Sequence, residues 1–300
     1  MINPKNKWRR YNTPLGICIN EKCETVISKY LIPNYQGQIQ LIFTSPPFPL
    51  NRAKKYGNLM GDEYKKWLCD VVKSMLPLLT EDGSIVIEIG NAWNYGEPTF
   101  STLPMETLLS IKNECGLSLC QEFIYYNPAR LPSPIQYVNV DRIRVKDSFT
   151  RVWWFSRSAN PKANNRNVLK QYSKQMKKLL ETGQYNAGER PSEHSISETA
   201  FNNDNGGAIP SNVIIASNTN SRDPYLLRCK ENGIKIHPAR MPFEVPRFFI
   251  NLLTDENDIV MDCFAGSNTT GYCAEEAKRR WISVEADKDY YMGSKYRFIR

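Results

Sequence analysis

The sequence predicts an α/β protein, a mainly parallel sheet with helices on both faces and one inserted module. Three observations carry that prediction. Short apolar runs that end at turn residues alternate with helical patterns, as strand–helix–strand units require. A polar stretch over 160–235, rich in Asn, Ser and Gly, breaks the alternation and reads as an insert rather than as part of the sheet. The chain has 300 residues, 41% hydrophobic and 11% aromatic, enough for a sizeable core in two domains or in one domain with a large insertion.

Taken in order, residues 39–44, 84–89, 119–125, 150–155, 258–262 and 281–285 are expected to be buried parallel strands. Helices are expected over 63–79, with Trp67, Leu68, Val71, Val72, Met75 and Leu76 on one face, and over 103–114, 245–253 and 270–279. The module boundaries then fall at 11–159, 160–235 and 236–300.

Composition excludes several classes. No apolar run approaches the roughly 18 residues of a membrane span, and the first ten residues lack the apolar stretch of a signal peptide. Eight cysteines form no C-x-x-C pair and only two histidines occur, so no metal site is expected. Reduced thiols place the chain in the cytoplasm. The net charge of +8 is concentrated: from Pro128 to Lys178 twelve Lys and Arg face two Asp, a local +10, while the flanking stretches carry +1 and −3. A basic run often marks only a solvated helix face. Here Arg-rich spacing with Trp153, Trp154 and Tyr172 interleaved suits phosphate contacts on a polyanionic partner, and Arg142, Arg144, Lys146, Lys162, Arg166 and Lys170 are the expected binding residues.

Two motifs carry chemistry. Around Asp262 a strand runs into a turn containing Phe264, Ala265, Gly266, Ser267, Asn268 and Thr269 and then into a helix, so backbone N–H groups face a small anionic group. Only one glycine lies in that turn, which makes it a poor pyrophosphate cradle. Glu285, 19 residues past Gly266, follows the next strand, where an acid can take two ribose hydroxyls. A nucleoside with a carboxylate in place of phosphates fits both halves, and S-adenosylmethionine is such a molecule.

The other motif is Ser45-Pro46-Pro47-Phe48, at the end of the first apolar strand. Two prolines stop further ladder bonding and stiffen the backbone, leaving carbonyls and the Ser45 hydroxyl as fixed acceptors. An exocyclic amine on a nucleobase is a poor nucleophile because its lone pair is delocalised. Two acceptors holding its hydrogens favour a pyramidal nitrogen with the lone pair free, and Phe48 can stack on a base flipped from the duplex.

Together with Lys55 to Asn58, and with His237-Pro238-Ala239-Arg240 before the cofactor turn, these motifs resemble the beta-class, amino-methylating DNA methyltransferases of type II restriction–modification systems. Within that class the chain is most similar to N4-cytosine-specific enzymes of the PvuII type, over residues 11–298. The resemblance implies a circularly permuted Rossmann-like S-adenosylmethionine-dependent methyltransferase fold with an inserted target-recognition domain. The N-terminal residues 16–20 would supply the strand beside Glu285. It also implies Ser45, Pro46, Pro47 and Phe48 as catalytic residues and Asp262, Phe264, Ala265, Gly266, Ser267, Asn268, Thr269 and Glu285 as cofactor-binding residues. The family's Gly-Asp near the adenine ring appears as Asn20-Glu21, so Glu21 is the matching contact. Implied partners are double-stranded DNA and, functionally, a cognate restriction endonuclease; a monomer and a homodimer are both open. Serine at the head of the tetrapeptide points to cytosine, although adenine offers the same amine and ring nitrogen. An N6-adenine enzyme and an inactive DNA-binding protein of the same fold are the alternatives.

Overall fold

The computed structural model describes residues 8–49, 59–183, 188–189, 195–197 and 201–299. Lys55 to Asn58 lie outside the described residues. The chain divides into a larger unit, 1–163 with 212–300, and a smaller one, 164–211.

Five parallel strands form the heart of the larger unit: β2 (Gly16–Asn20), β3 (Ile39–Thr44), β4 (Leu79–Gly90), β10 (Ile259–Asp262) and β11 (Arg280–Glu285). With β1 (Arg9–Asn12), β5 (Ser118–Tyr126), β6 (Phe149–Ser156) and β9 (Val213–Ile215) they make a nine-stranded sheet ordered β1-β2-β11-β10-β3-β4-β6-β5-β9. The N-terminal β2 therefore lies beside the C-terminal β11, with Asn20 opposite Glu285, the neighbour relation implied for residues 16–20.

All six residues of β3 are buried, as expected of a central strand covered on both faces. Alternate β3 residues face two helical layers. Ile42 joins Ile85, Ile87 and Met261 in a cluster with Tyr64, Leu68, Val71, Val72 and Met75 of α3 (Gly61–Met75). On the other side Phe43 meets Phe249 of α7 (Glu244–Leu253), ring centroids 5.7 Å apart. Alongside α3, α4 (Leu103–Glu114) is tied by Lys65–Glu106 at 2.8 Å and Lys73–Glu114 at 3.1 Å. A helix of three segments, α1 (Cys23–Val26), a π turn (Ile27–Leu31) and α2 (Ile32–Tyr35), leads from β2 to β3.

Two sequence expectations are corrected. Residues 150–155 belong to a strand that runs antiparallel to both β4 and β5. No α-helix separates β5 from β6, and only a parallel neighbour needs a long crossover. Residues 119–125 are only partly buried, with Phe123 and Tyr125 inward, because β5 lies near the sheet's margin. Two contacts at the margins of the expected insert belong to the larger unit. Val213–Ile215 joins the main sheet parallel to β5, and Lys162 is bound to Asp258 at the start of β10.

The smaller unit has its own local order. In α5 (Lys174–Thr182) the Ser173 hydroxyl accepts from Met176 N at 3.1 Å and a left-handed Gly183 closes the helix. Lys170 and Ala208 exchange two backbone hydrogen bonds. The short strands β7 (Gly188–Glu189) and β8 (Ser195–Ile196) pair antiparallel.

Among the described residues no helix is long and apolar enough to cross a membrane, and no group of three or more His, Cys, Asp or Glu could hold a metal ion.

One close approach fixes the β2–β11 seam. A Cβ on Gly16 would fall 2.1 Å from the Trp281 ring, which is itself stacked on Phe298 with centroids 5.0 Å apart. Gly16→Ala is therefore expected to destabilise the protein by about 1–3 kcal/mol through overpacking, read as a lowered midpoint in urea unfolding with an unchanged slope.

Candidate active site

Parallel strands align their carboxyl ends, and loops at that edge form the site. The next register step beyond Thr44–Ile87 puts Ser45 alongside Glu88. Glu88 is 6% exposed and takes a 2.9 Å hydrogen bond from the Thr150 hydroxyl. The Ser45 hydroxyl bonds to the same carboxylate. Burial raises the Glu88 pKa, while the bonds from Ser45 and Thr150 act in the opposite direction. Glu88 and Gly90 point to one face of β4. A Cβ on Gly90 would fall 2.2 Å from the Phe48 ring, so the glycine is what lets Phe48 lie over the strand end. Pro46 is buried and Pro47 exposed, which leaves the tetrapeptide anchored at one proline.

Glu88 was missed in the sequence. Its signal was a single acid within the apolar run Ile85-Val86-Ile87-Glu88-Ile89, at the end where ligands bind.

The second half of the site follows β10. Asp262 is buried, and burial raises its pKa. Its Oδ1 accepts from the Thr44 hydroxyl at 2.8 Å and from Phe264 N at 3.0 Å, and its Oδ2 accepts from the Thr270 hydroxyl at 2.7 Å. Asn268 is fully buried in a left-handed conformation with φ 55°. Its Oδ1 accepts from Gly271 N and the Ser283 hydroxyl, and its Nδ2 donates to Tyr11. Asp262 and Asn268 thus act on the turn from beneath. Phe264 is half-buried against Trp67, ring centroids 5.6 Å apart, while Ala265, Ser267 and Thr269 are buried.

Ser267 is fixed by a buried arginine outside the motif. Arg297 Nε donates to Ser267 O at 2.6 Å and its Nη2 to Ser267 Oγ at 3.0 Å. Asp223 lies 3.4 Å from Arg297 and 3.6 Å from Arg240.

Gly266, with φ 51°, needs the conformational freedom of glycine. Its N–H donates to Glu285 Oε2 at 2.6 Å, and Asp287 N donates to Oε1 at 2.7 Å. Burial nevertheless pushes the Glu285 pKa up to about 7. Each carboxylate oxygen keeps a second acceptor position. Beside this turn His237 is neutral, its pKa pulled down to about 4 by burial, and its buried Nδ1 has no hydrogen-bond partner among the described residues. Glu21 follows β2 directly, one residue beyond the Asn20–Glu285 pair, and its Oε1 accepts from Lys22 N at 2.8 Å.

The expected DNA contacts separate into three groups. Arg142, Arg144 and Lys146 are exposed in the loop between β5 and β6, at the same edge as Ser45. Arg166 and Lys170 are exposed in the smaller unit. Lys162 is a correction: it sits at the opposite, amino edge, 2.7 Å from both Asp255 and Asp258, and its charge is spent within the fold. Arg151 is likewise paired with Glu122 at 2.8 Å, so the basic band is weaker than its +10 count. Trp153 is core, and Trp154 donates to the Ser84 hydroxyl at 2.9 Å.

The chain as a whole is similar to known proteins. The N6_N4_Mtase family, described as DNA methylase, matches residues 39–295. The chain belongs to this DNA methylase family. It is 45% identical over 263 residues to the type II methyltransferase M.PvuII of Proteus hauseri, covering 87% of this chain and 78% of that protein. It is 22% identical to M.BglII of Bacillus subtilis, over 85% of this chain and 62% of that one. The solved PvuII DNA methyltransferase, titled cytosine-N4-specific, superposes with a TM-score of 0.77 at 36% identity, over 97% of this chain and 88% of that one. The M1.HpyAVI–SAM complex, at 16% identity, a TM-score of 0.56 and coverage of 94% and 98%, shares the fold.

The Glu285 environment has a consequence for stability. Its folded pKa of about 7 lies above the ordinary 4.5, so the folded state binds the proton more tightly. Stability from this group is full below pH 4.5 and is lost as pH rises through 7. The wild type should therefore lose about 1–3 kcal/mol over that range relative to Glu285→Gln, measured by urea unfolding of both proteins across the pH series. Parallel stability profiles would contradict the assignment.

Proposed function

We propose that this protein is a site-specific DNA methyltransferase, transferring a methyl group from S-adenosylmethionine to the N4 amine of a cytosine flipped out of duplex DNA. The observation that carries the proposal is the Ser45–Glu88 pair at the same sheet edge as the Gly266–Glu285 cradle. The 45% identical relative and the cytosine-N4-specific structural neighbour support it.

The cradle fits the cofactor. Glu285 has acceptor positions left for two ribose hydroxyls, the Gly266 turn brings backbone close to an amino-acid end, and the unpartnered His237 nitrogen lies beside that turn. Glu21 is placed for the adenine side, and Phe264, Ala265, Ser267 and Thr269 shape the wall. When bound, the sulfonium supplies an electrophilic methyl group.

The protein's own part is to prepare the amine. Phe48 holds the flipped base by stacking, and Pro46 and Pro47 keep the loop from yielding. Ser45 donates its hydroxyl proton toward Glu88, which turns the oxygen's lone pairs toward the amine hydrogens. The amine nitrogen pyramidalises and its lone pair is released for attack. As the nitrogen gains a fourth bond it must lose a proton, and the buried Glu88 carboxylate, whose pKa is raised, receives it through Ser45. Arg142, Arg144 and Lys146 grip the backbone at this edge. The smaller unit, with Arg166 and Lys170, is the target-recognition module. A cognate restriction endonuclease in the cytoplasm is the functional counterpart.

Incubating duplex DNA with the protein and S-adenosylmethionine and digesting it to nucleosides should yield N4-methylcytosine. N6-methyladenine without N4-methylcytosine would refute the target. Ser45→Ala should keep cofactor binding and lose about 10²–10³-fold in turnover, with Glu88→Gln losing at least as much. Unchanged turnover in either variant would remove that residue from the mechanism.

A further inference from the structure

Beyond Glu88, at the carboxyl edge, a cleft of about 570 Å³ opens between the segment leaving β4 and the loop entering β6. The rings of Trp93, Phe100, Tyr126 and Phe149 line it, together with Arg144 and Lys146. Neither Ser45 nor Phe48 is part of this lining, so the cleft is separate from the place assigned to the target base.

The cleft is held open by the fold. Asn91 Nδ2 donates to Asp147 Oδ1 at 2.9 Å and to Phe149 O at 3.2 Å, pinning the incoming loop to the end of β4. Arg130 donates to Phe149 O at 2.9 Å. Arg144 is braced by Pro98 O at 2.9 Å, and Lys146 by Pro128 O at 3.1 Å. Trp93 and Phe100 lie against each other with centroids 4.5 Å apart. Tyr126 and Phe100 remain 37% and 41% exposed, large apolar surfaces that no element among the described residues covers. Asp147, the one acid among the described lining residues, is matched by Arg130 at 4.0 Å and by Asn91, which leaves Arg144 and Lys146 as the charges that face the cleft among those residues.

We infer that this cleft seats a second DNA base, one flanking the flipped target, with its phosphate on Arg144 and Lys146. The inference rests on the DNA methyltransferase reading. Aromatic faces joined to cations are the chemistry of sites for unstacked nucleotides, whereas a purely apolar ligand has no use for the charges. The volume lies within the roughly 300–1,000 Å³ of small-ligand sites, ample for a nucleotide. Trp93 follows Glu88 by five residues, so at about 3.3 Å per residue the two are within roughly 17 Å. That span is a few steps of DNA at about 3.4 Å each. Extruding the target also removes one stacking partner from each neighbour, which lowers the cost of drawing a neighbour out.

The test is a double-mutant cycle between protein ring and base. The methylated site is first mapped by sequencing DNA treated with the protein. Duplexes carrying a single abasic position at each nucleotide around the target are then titrated against wild type, Tyr126→Ala and Phe100→Ala, both replacements at exposed rings that the fold tolerates. The wild type should lose about tenfold or more in DNA affinity at one flanking position. In the variants the same lesion should cost less than about threefold further, because the stacking partner is already gone. Equal lesion effects in all three proteins at every position would overturn the cleft as a base site. Methyl transfer by the wild type to the intact duplex is run alongside. Transfer without coupling rejects the cleft alone, and no transfer to any duplex rejects the reading beneath it together with the cleft.

Discussion

The hydrogen bond from the Thr44 hydroxyl to Asp262, 2.8 Å long and spanning 218 residues of sequence, joins the two halves of the site. Thr44 is the last residue of β3 and immediately precedes Ser45; Asp262 is the last residue of β10 and immediately precedes the Gly266 turn. The same carboxylate fixes Phe264 N and the Thr270 hydroxyl, so one buried acid sets the end of a strand, the start of a turn and the first turn of α8 (Thr269–Glu276). A buried charge is tolerated only when its acceptor positions are filled, and breaking one partner costs more than the bond is worth.

Two buried acids, Asp262 and Glu88, and the partly buried Glu285 lie along this edge, and their surroundings separate their roles. Asp262 accepts three hydrogen bonds from protein donors and serves as a strut. Glu285 is held by two backbone N–H groups that aim it while leaving acceptor positions for a ligand. Among the described residues Glu88 takes hydrogen bonds from two hydroxyls, Thr150 and Ser45, and in the proposed mechanism its carboxylate trades a proton through Ser45. Burial raises the pKa in all three. The difference in function lies in which partners can be exchanged. In the proposed mechanism the proton passes through Ser45 and Glu88, and His237, its pKa lowered by burial, lies beside Gly266.

Much of this was legible in the sequence, for identifiable reasons. The strand ends at Thr44 and Asp262 are marked by apolar runs that stop at Pro and Gly turns, and local chemistry alone locates both loops. Glu285 was legible because its distance from Gly266 reflects one strand–helix–strand unit. Long-range partners were not legible. The Ser45–Glu88 contact depends on the register between β3 and β4, which no local pattern specifies, and the Arg297 bonds to Ser267 bridge 30 residues that include two helices and a strand. The antiparallel direction of β6 was hidden because an apolar strand looks alike in either direction. The charge count misled at Lys162 because formal charge along a chain ignores the carboxylates that folding brings against it.

The central claim, that the Thr44–Asp262 bond aligns the base-holding Ser45–Phe48 loop with the cofactor turn, is tested most directly by single-turnover methylation with Thr44→Val. This variant keeps the side-chain volume and deletes the hydroxyl. The account predicts a rate at saturating cofactor at least tenfold below wild type, with cofactor affinity within about twofold, since a lost buried hydrogen bond is worth about 1–3 kcal/mol and misplacement falls on the transfer step. A wild-type rate at saturating cofactor would contradict it.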